Sequence, residues 1–332
     1  MQKRRVLLIS PVFHGYYKGI VAALEALGFE VLVHCYDEAK TPLSKLQNRW
    51  ATEDSARGEG VRARYSKQSI DALNMAKPDA VLLVKADLLD ASWWAALEAS
   101  KLPYSLWIYD ELSNTKFEVE LLQSLNFVAS YSRKDTALLK EAGVDAAFVP
   151  GGFDSFEPYQ PNTSLKSTVS FIGARYAGRE AVLTEISRQG VNVKAFGREW
   201  SRRPIDIART GRLRGPVFDS GPDLSRQDSL SAMAGSLATL NHHGHHDGFN
   251  LRMFEACGVG AIQLLDRTDA SAFYEPNAEV LIYENPSEIL AHLERIKTDA
   301  NWANSVKTQA KARTLAQHTL KHRMADLVLA WN

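Results

Sequence analysis

Short apolar runs alternate with longer stretches of helical period from the beginning of the chain. Arg5–Ser10 (RVLLIS) reads as a buried strand, and Gly19–Leu27 (GIVAALEAL) as the helix that follows it, stopped by Gly28. Glu30–Cys35 (EVLVHC) is the next strand, and the pattern recurs at Ala80–Val84, Tyr104–Tyr109, Phe127–Ser130 and Ala146–Val149. Candidate helices lie between most of these runs. Strand–helix alternation of this kind predicts a parallel sheet covered on both faces. The stretch 41–64 is polar and irregular and reads as an excursion beside that sheet.

Periodicity stops between Pro150 and Thr168, a segment that holds three of the twelve prolines and has no helical stripe. It reads as a linker. Beyond it the alternation restarts with a strand at Val169–Gly173, a helix at Glu180–Gln189 and a strand at Val191–Gly197. Further strands are predicted at Leu237–Asn241, Ala261–Leu265 and Glu279–Tyr283, and the last thirty residues read as helical. The expected organisation is an α/β chain of two doubly wound, Rossmann-like domains. The first covers residues 1–150, the linker 151–168, the second domain 169–310, and a C-terminal helix 311–332 that would cross back to the first domain.

Composition narrows the class without naming a function. The chain has 332 residues, 45% hydrophobic and 23% charged, which suits two globular cores. Lys plus Arg and Asp plus Glu both number 39, so no global attraction for nucleic acid or an anionic membrane is expected. No apolar run is long enough to span a bilayer, and Val6–Ile9 is too short for a signal peptide. With only Cys35 and Cys257 there is no disulfide framework or Cys-based zinc site to read. A soluble, cytoplasmic protein is the expectation.

The most informative segment runs from His245 to Leu265. Asp247 opens a turn through Gly248, a helix follows, and Glu255 lies eight positions after Asp247, about two helical turns. Backbone N–H groups at the helix start, from Gly248 through Phe249 to Asn250, would face a diphosphate, which the helix dipole also favours. Glu255 would then accept hydrogen bonds from ribose hydroxyls. The spacing fits equally well a plain glycine turn that opens a helix carrying two solvated acids.

This segment resembles the E-x7-E region of retaining GT-B glycosyltransferases, with Asp247 in place of the first Glu. Asn250-Leu251-Arg252-Met253-Phe254-Glu255-Ala256 resembles the N-x-R-x-F-E-A signature of the CgeB-like (spore maturation protein) glycosyltransferases. Phe148–Asp154 is similar to that family's P-x-G-x-D segment with one extra residue, and Ser170–Gly173 with Arg179 to its F-x-G…R. Phe196-Gly197-Arg198-Glu199-Trp200 is similar to its F/Y-G-x-x-W. His318-Thr319 with His322-Arg323 is similar to its terminal H-T-x-x-H-R. The resemblance covers roughly residues 80–330. It implies a GT-B fold whose domains face across a cleft, acceptor on the first and donor on the second. It also implies a nucleotide-sugar donor, UDP-linked by preference, as substrate. No Asp-x-Asp that would hold a metal on the diphosphate occurs in the chain, so no metal or other cofactor is expected.

Other residues can be placed in that frame. Arg175 and Arg179 follow a strand end, where ligands of open α/β sheets sit, and guanidinium forks suit a diphosphate. Arg198 and Trp200, just after Gly197, would hold the nucleotide base, although a core tryptophan fits Trp200 too. Asp110 and Glu111 follow the strand Tyr104–Tyr109 and would orient or deprotonate the acceptor, or else cap the next helix. His14 follows the first strand and is the third candidate acid/base group. His242, His243, His245 and His246 invite a metal, but adjacent histidines rarely converge on one ion, so His246 and its neighbours are read as lining the donor site. Two rival functions use the same fold: a nucleotide-sugar epimerase, and a non-catalytic nucleotide-sugar-binding protein.

Overall fold

In a computed structural model of the chain, residues 3–244 and 247–331 are described. They form two compact units, Met1–Gly151 with Asp247–Phe249 and Leu320–Asn332, and Gly152–His246 with Asn250–Thr319.

The first unit is built on six parallel strands: β1 (Arg5–Ser10), β2 (Glu30–Cys35), β3 (Ala80–Val84), β4 (Tyr104–Ile108), β5 (Val128–Ser130) and β6 (Ala146–Phe148). Their order is β2-β1-β3-β4-β5-β6. In register, Leu8 faces Val33 on one side and Leu82 on the other. The near-continuous apolar runs are explained by burial on both faces. Leu7, Ile9, Val81, Leu83, Leu106 and Ile108 pack into one core, while Val6, Leu8, Leu82, Val84 and Trp107 pack into the other. The second core is completed by the end of the chain. Leu320, Met324 and Leu327 of the helix Leu320–Val328, with Trp331, join Ile20 and Leu24 there. Ser105 Oγ donates to the carbonyl of Leu327 at 2.7 Å.

The polar excursion read over 41–64 is instead largely helical. Pro42–Gln47 is a short helix closed by a Thr41–Ser44 capping box, and a long helix spans Ala56–Ala76 with Ser55 as its N-cap. Many charges and two glycines masked a stripe through Val61, Tyr65 and Leu73, which is buried against the sheet.

The second unit has β7 (Val169–Ile172), β8 (Val193–Phe196), β9 (Asp219–Gly221), β10 (Ala238–Asn241), β11 (Gln263–Leu265) and β12 (Leu281–Ile282). They are parallel in the order β12-β11-β10-β7-β8-β9. The proline-rich stretch after Pro150 is held to this unit. Asp154 and Arg226 form a buried ion pair at 2.6 Å, and Asn162 N–H donates to Ser231 O at 2.8 Å. A Cβ on Gly258 would enter the Phe153 ring, so glycine lets the helix Leu251–Gly258 approach it. His318 is buried against Phe254, Phe273 and Tyr274, a packing role for that motif residue. No described helix is long and apolar enough to cross a membrane.

Candidate functional site

In the second sheet the chain runs β7 to β8 to β9 on one side, then returns to β10 and continues to β12 on the other. The loops leaving the carboxyl ends of β7 and β10 therefore part in opposite directions, which is where open α/β sheets bind ligands. Arg179, on the first turn of the helix Ala177–Arg188, bridges that switch point. Its Nε donates to His242 O at 2.9 Å, beyond β10, and its Nη1 donates to Ala174 O at 3.1 Å, beyond β7. The guanidinium stacks on Tyr176 and Phe171, and burial lowers its pKa. No carboxylate pairs with it among the described residues. A half-buried cation satisfied only by carbonyls favours an anion beside it. The start of the same helix lies close by, since a Cβ on Gly178 would sit 3.5 Å from His242 Nε2.

The far wall is a polar cluster. Asp266, just past β11, accepts from the N–H groups of His243 (2.9 Å) and Gly244 (3.0 Å). His243 Nε2 accepts the Asn250 N–H at 3.3 Å, so the neutral ring carries its proton on Nδ1, 3.3 Å from Asp266 Oδ1. Burial lowers the His243 pKa against the pull of Asp266. Although burial opposes it, hydrogen bonds from His243 and Gly244 hold the Asp266 carboxyl down at about 2. His242 Nδ1 lies 3.0 Å from the Tyr283 hydroxyl and 3.2 Å from Asp266. Asp266 and Tyr283 were not singled out from the sequence, although both directly follow strands and the strand-end rule that flagged Arg179 applies to them.

Several predicted residues are committed elsewhere. Arg175 is 7% exposed and forms a two-point ion pair with Glu180, with Nη1 donating to Arg214 O, so it anchors the fold instead of waiting for a diphosphate. Trp200 is 0% exposed; its Nε1 donates to Gly173 O at 2.8 Å and its ring packs on Phe171 and Phe218. It belongs to the core and has no face on which a base could stack. Gly197 has φ 153°, and a Cβ there would meet Gly173 O at 2.6 Å, so its role is the close approach of two strand ends. Arg198 is anchored to Asp223 on the surface, through its N–H and at 3.1 Å through its guanidinium.

The expectation that N–H groups from Gly248 to Asn250 face a ligand fails at Asn250, whose N–H goes to His243. The Asn250 amide pairs reciprocally with Asn241, which also bonds Gln263, tying the helix Leu251–Gly258 to β10 and β11. Glu255 is 4% exposed and in ion pair with Arg252 one turn before it. His246 lies outside the described residues, as does His245.

In the first unit Asp110, Glu111 and Asp247 gather. Lys85 Nζ donates to Asp110 at 2.7 Å, and Asp247 N–H donates to Glu111 Oε1 at 2.9 Å. Asp247 Oδ2 accepts from Ser132 Oγ (2.6 Å) and Lys134 N–H (3.1 Å) at the start of the helix Arg133–Glu141. Gly248 is required because a Cβ would enter the Tyr131 ring, and Phe249 is buried. Burial and these acids raise the pKa of Tyr131. His14 sits in a tight turn with φ 50°, its ring against Phe13.

Residues 179–328 match the model of a family described as glycosyl transferase-like. No curated protein matches the chain significantly. Solved structures similar over nearly the whole chain include sucrose-phosphate synthase from Thermosynechococcus elongatus, with 12% identity, 98% of each chain covered and a TM-score of 0.67. Anabaena HepE in complex with UDP-glucose has 13% identity, 98% coverage of each chain and a TM-score of 0.65. A UDP-N-acetylglucosamine 2-epimerase from Listeria monocytogenes, itself described as putative, has 13% identity, covers 99% of this chain and 96% of its own, and has a TM-score of 0.61. At such identities the likeness is one of fold, two Rossmann-like parallel sheets.

Proposed function

We propose that this chain is a glycosyltransferase that takes a sugar from a nucleoside-diphosphate donor, a UDP-sugar by preference, and passes it to an acceptor. The observation that carries the reading is Arg179, a half-buried cation without a carboxylate partner among the described residues, placed across the switch point of the second sheet. The family match beginning at residue 179 and the UDP and UDP-glucose complexes among the structural neighbours support it. As the bond from the sugar to the diphosphate breaks, negative charge grows on the leaving phosphate. Arg179 and the N-terminal dipole of the helix Ala177–Arg188 would stabilise that charge without reorganising. Glu255, held in place by Arg252, would accept from the ribose hydroxyls. The motif at Asn250–Ala256 supports the CgeB-like assignment. Asp110 and Glu111 are already engaged by Lys85 and by the Asp247 N–H, which favours retention over an inverting mechanism that needs a free base.

Since the charge is met by fixed groups, the reaction requires no divalent metal. The test is release of nucleoside diphosphate from a panel of nucleotide sugars, without acceptor and in excess EDTA. Slow release from UDP-sugars, unchanged by EDTA, is expected. Loss of release in EDTA with recovery on adding manganese or zinc would contradict the metal-free reading. An epimerase, favoured by the Listeria neighbour, would instead be recognised by a converted nucleotide sugar as the main product.

A further inference from the structure

The connection from β8 to the edge strand β9 carries a charge pattern that the donor site does not use. From Arg198 to Val217 it holds six arginines and two acids, in a chain whose basic and acidic residues are equal in number. Both acids are engaged: Glu199 accepts the Arg175 N–H at 2.6 Å, and the buried Asp206 accepts from Ser201 Oγ at 2.7 Å. Arg198 is tied to Asp223. The other five, Arg202, Arg203, Arg209, Arg212 and Arg214, are exposed, and no carboxylate ion-pairs with them among the described residues. Arg202 and Arg212 donate instead to the carbonyls of Pro216 (2.7 Å) and Arg175 (3.2 Å).

Aliphatic side chains stand among these charges. Ile205 is 57% exposed, Leu213 84% and Val217 72%, and Leu213 is flanked by Arg212 and Arg214. On the helix Pro204–Thr210, Ile205 and Arg209 lie one turn apart on the same face. The loop beyond that helix is braced. Arg175 Nη1 donates to Arg214 O at 3.0 Å, and Arg202, bonded to Pro216 O, lies so close that a Cβ on Gly215 would meet its Nε at 2.7 Å. Leu213 is therefore held out into water by a fixed turn, an exposure that is unfavourable until the side chain enters an apolar phase.

The combination selects the partner. Guanidinium forks bind phosphate at two points, which suits any polyanion. A single-stranded nucleic acid is held by aromatic faces as well, and the two aromatics of this stretch, Trp200 and Phe218, are buried. It would also leave the aliphatic side chains in water. An anionic bilayer meets both features, with headgroup phosphates on the arginines and the aliphatic tip at the acyl boundary. We propose that the β8–β9 connection docks the second unit onto an anionic phospholipid surface, with Arg209 and Arg214 on headgroup phosphates and Leu213 inserted between the lipids. The proposal does not rest on the glycosyltransferase reading.

The experiment is flotation of the whole protein with vesicles of phosphatidylcholine and phosphatidylglycerol in equal parts, and with vesicles of phosphatidylcholine alone. A single-stranded oligonucleotide is titrated in parallel. Binding to the mixed vesicles is expected, weakening as salt is raised, with little binding to phosphatidylcholine or the oligonucleotide. Replacing Arg209 and Arg214 together by alanine should weaken vesicle binding about 25-fold, roughly fivefold for each arginine. Leu213→Ser keeps every charge and should weaken it about tenfold, through the lost insertion alone. All three side chains are exposed, so the melting temperature should stay at the wild-type value and any loss of binding belongs to the surface. Absence of binding to the mixed vesicles, or binding indifferent to these substitutions, would overturn the proposal. So would an oligonucleotide bound as tightly as the vesicles and unaffected by Leu213→Ser, which would make this a nucleic-acid surface.

Discussion

Arg179→Ala is expected to weaken UDP binding about 30-fold while leaving uridine binding nearly unchanged, as measured by calorimetry. The asymmetry follows from what the guanidinium can reach. It lies at the ends of β7 and β10 with its donors on backbone carbonyls, positioned to turn them onto a diphosphate, and a nucleoside offers it no negative charge. The melting temperature should change little, because Arg179 has no buried carboxylate partner whose charge would be orphaned. Arg179→Lys should recover only part of the affinity, since an ammonium cannot present the two-point fork. Equal losses for UDP and uridine would show that the residue acts through the fold.

Asp266→Ala should destabilise the protein by about 3 kcal/mol, measured by urea unfolding at pH 7. The carboxylate accepts from two backbone N–H groups and faces the ring of His243, and its removal leaves these donors unsatisfied in a partly buried turn. A pH dependence accompanies the effect. The folded carboxyl is held at about 2, against about 3.9 for an aspartate in an unfolded chain. Between these values the unfolded state binds more protons, so the contribution is complete above pH 4 and is lost as pH falls toward 2. About 2 kcal/mol of wild-type stability should disappear across that window and be missing from the variant's profile. A variant with the same acid profile as wild type would show that Asp266 is not the group responsible.

Both sheets were legible in the sequence because a strand buried on two faces has to be written as a run of apolar residues, as in RVLLIS and AVLLV. β9 was not, because Asp-Ser-Gly offers no such run. The helix Ala56–Ala76 was missed for the opposite reason: only a thin stripe of it is buried, and charges dominate its average. At the site, composition alone could not separate Arg175 from Arg179. Both follow β7, and Glu180 and Glu199 stand near enough in sequence to pair with either. Side-chain geometry gives Glu180 to Arg175 and leaves Arg179 on carbonyls. Trp200 carries the same ambiguity, since an aromatic just past a strand end serves a ligand or a core equally well until its burial is known. Asp266 follows β11 without any flanking motif, and only the partners of its oxygens mark it out.

The most direct measurement is a crystal structure of the protein soaked with UDP. The diphosphate is expected between the ends of β7 and β10, with a phosphate oxygen about 3 Å from the Arg179 guanidinium and the ribose hydroxyls on Glu255. UDP ordered elsewhere, or a crevice still empty at saturating UDP with Arg179 unmoved on the carbonyls of Ala174 and His242, would contradict a donor site at this switch point.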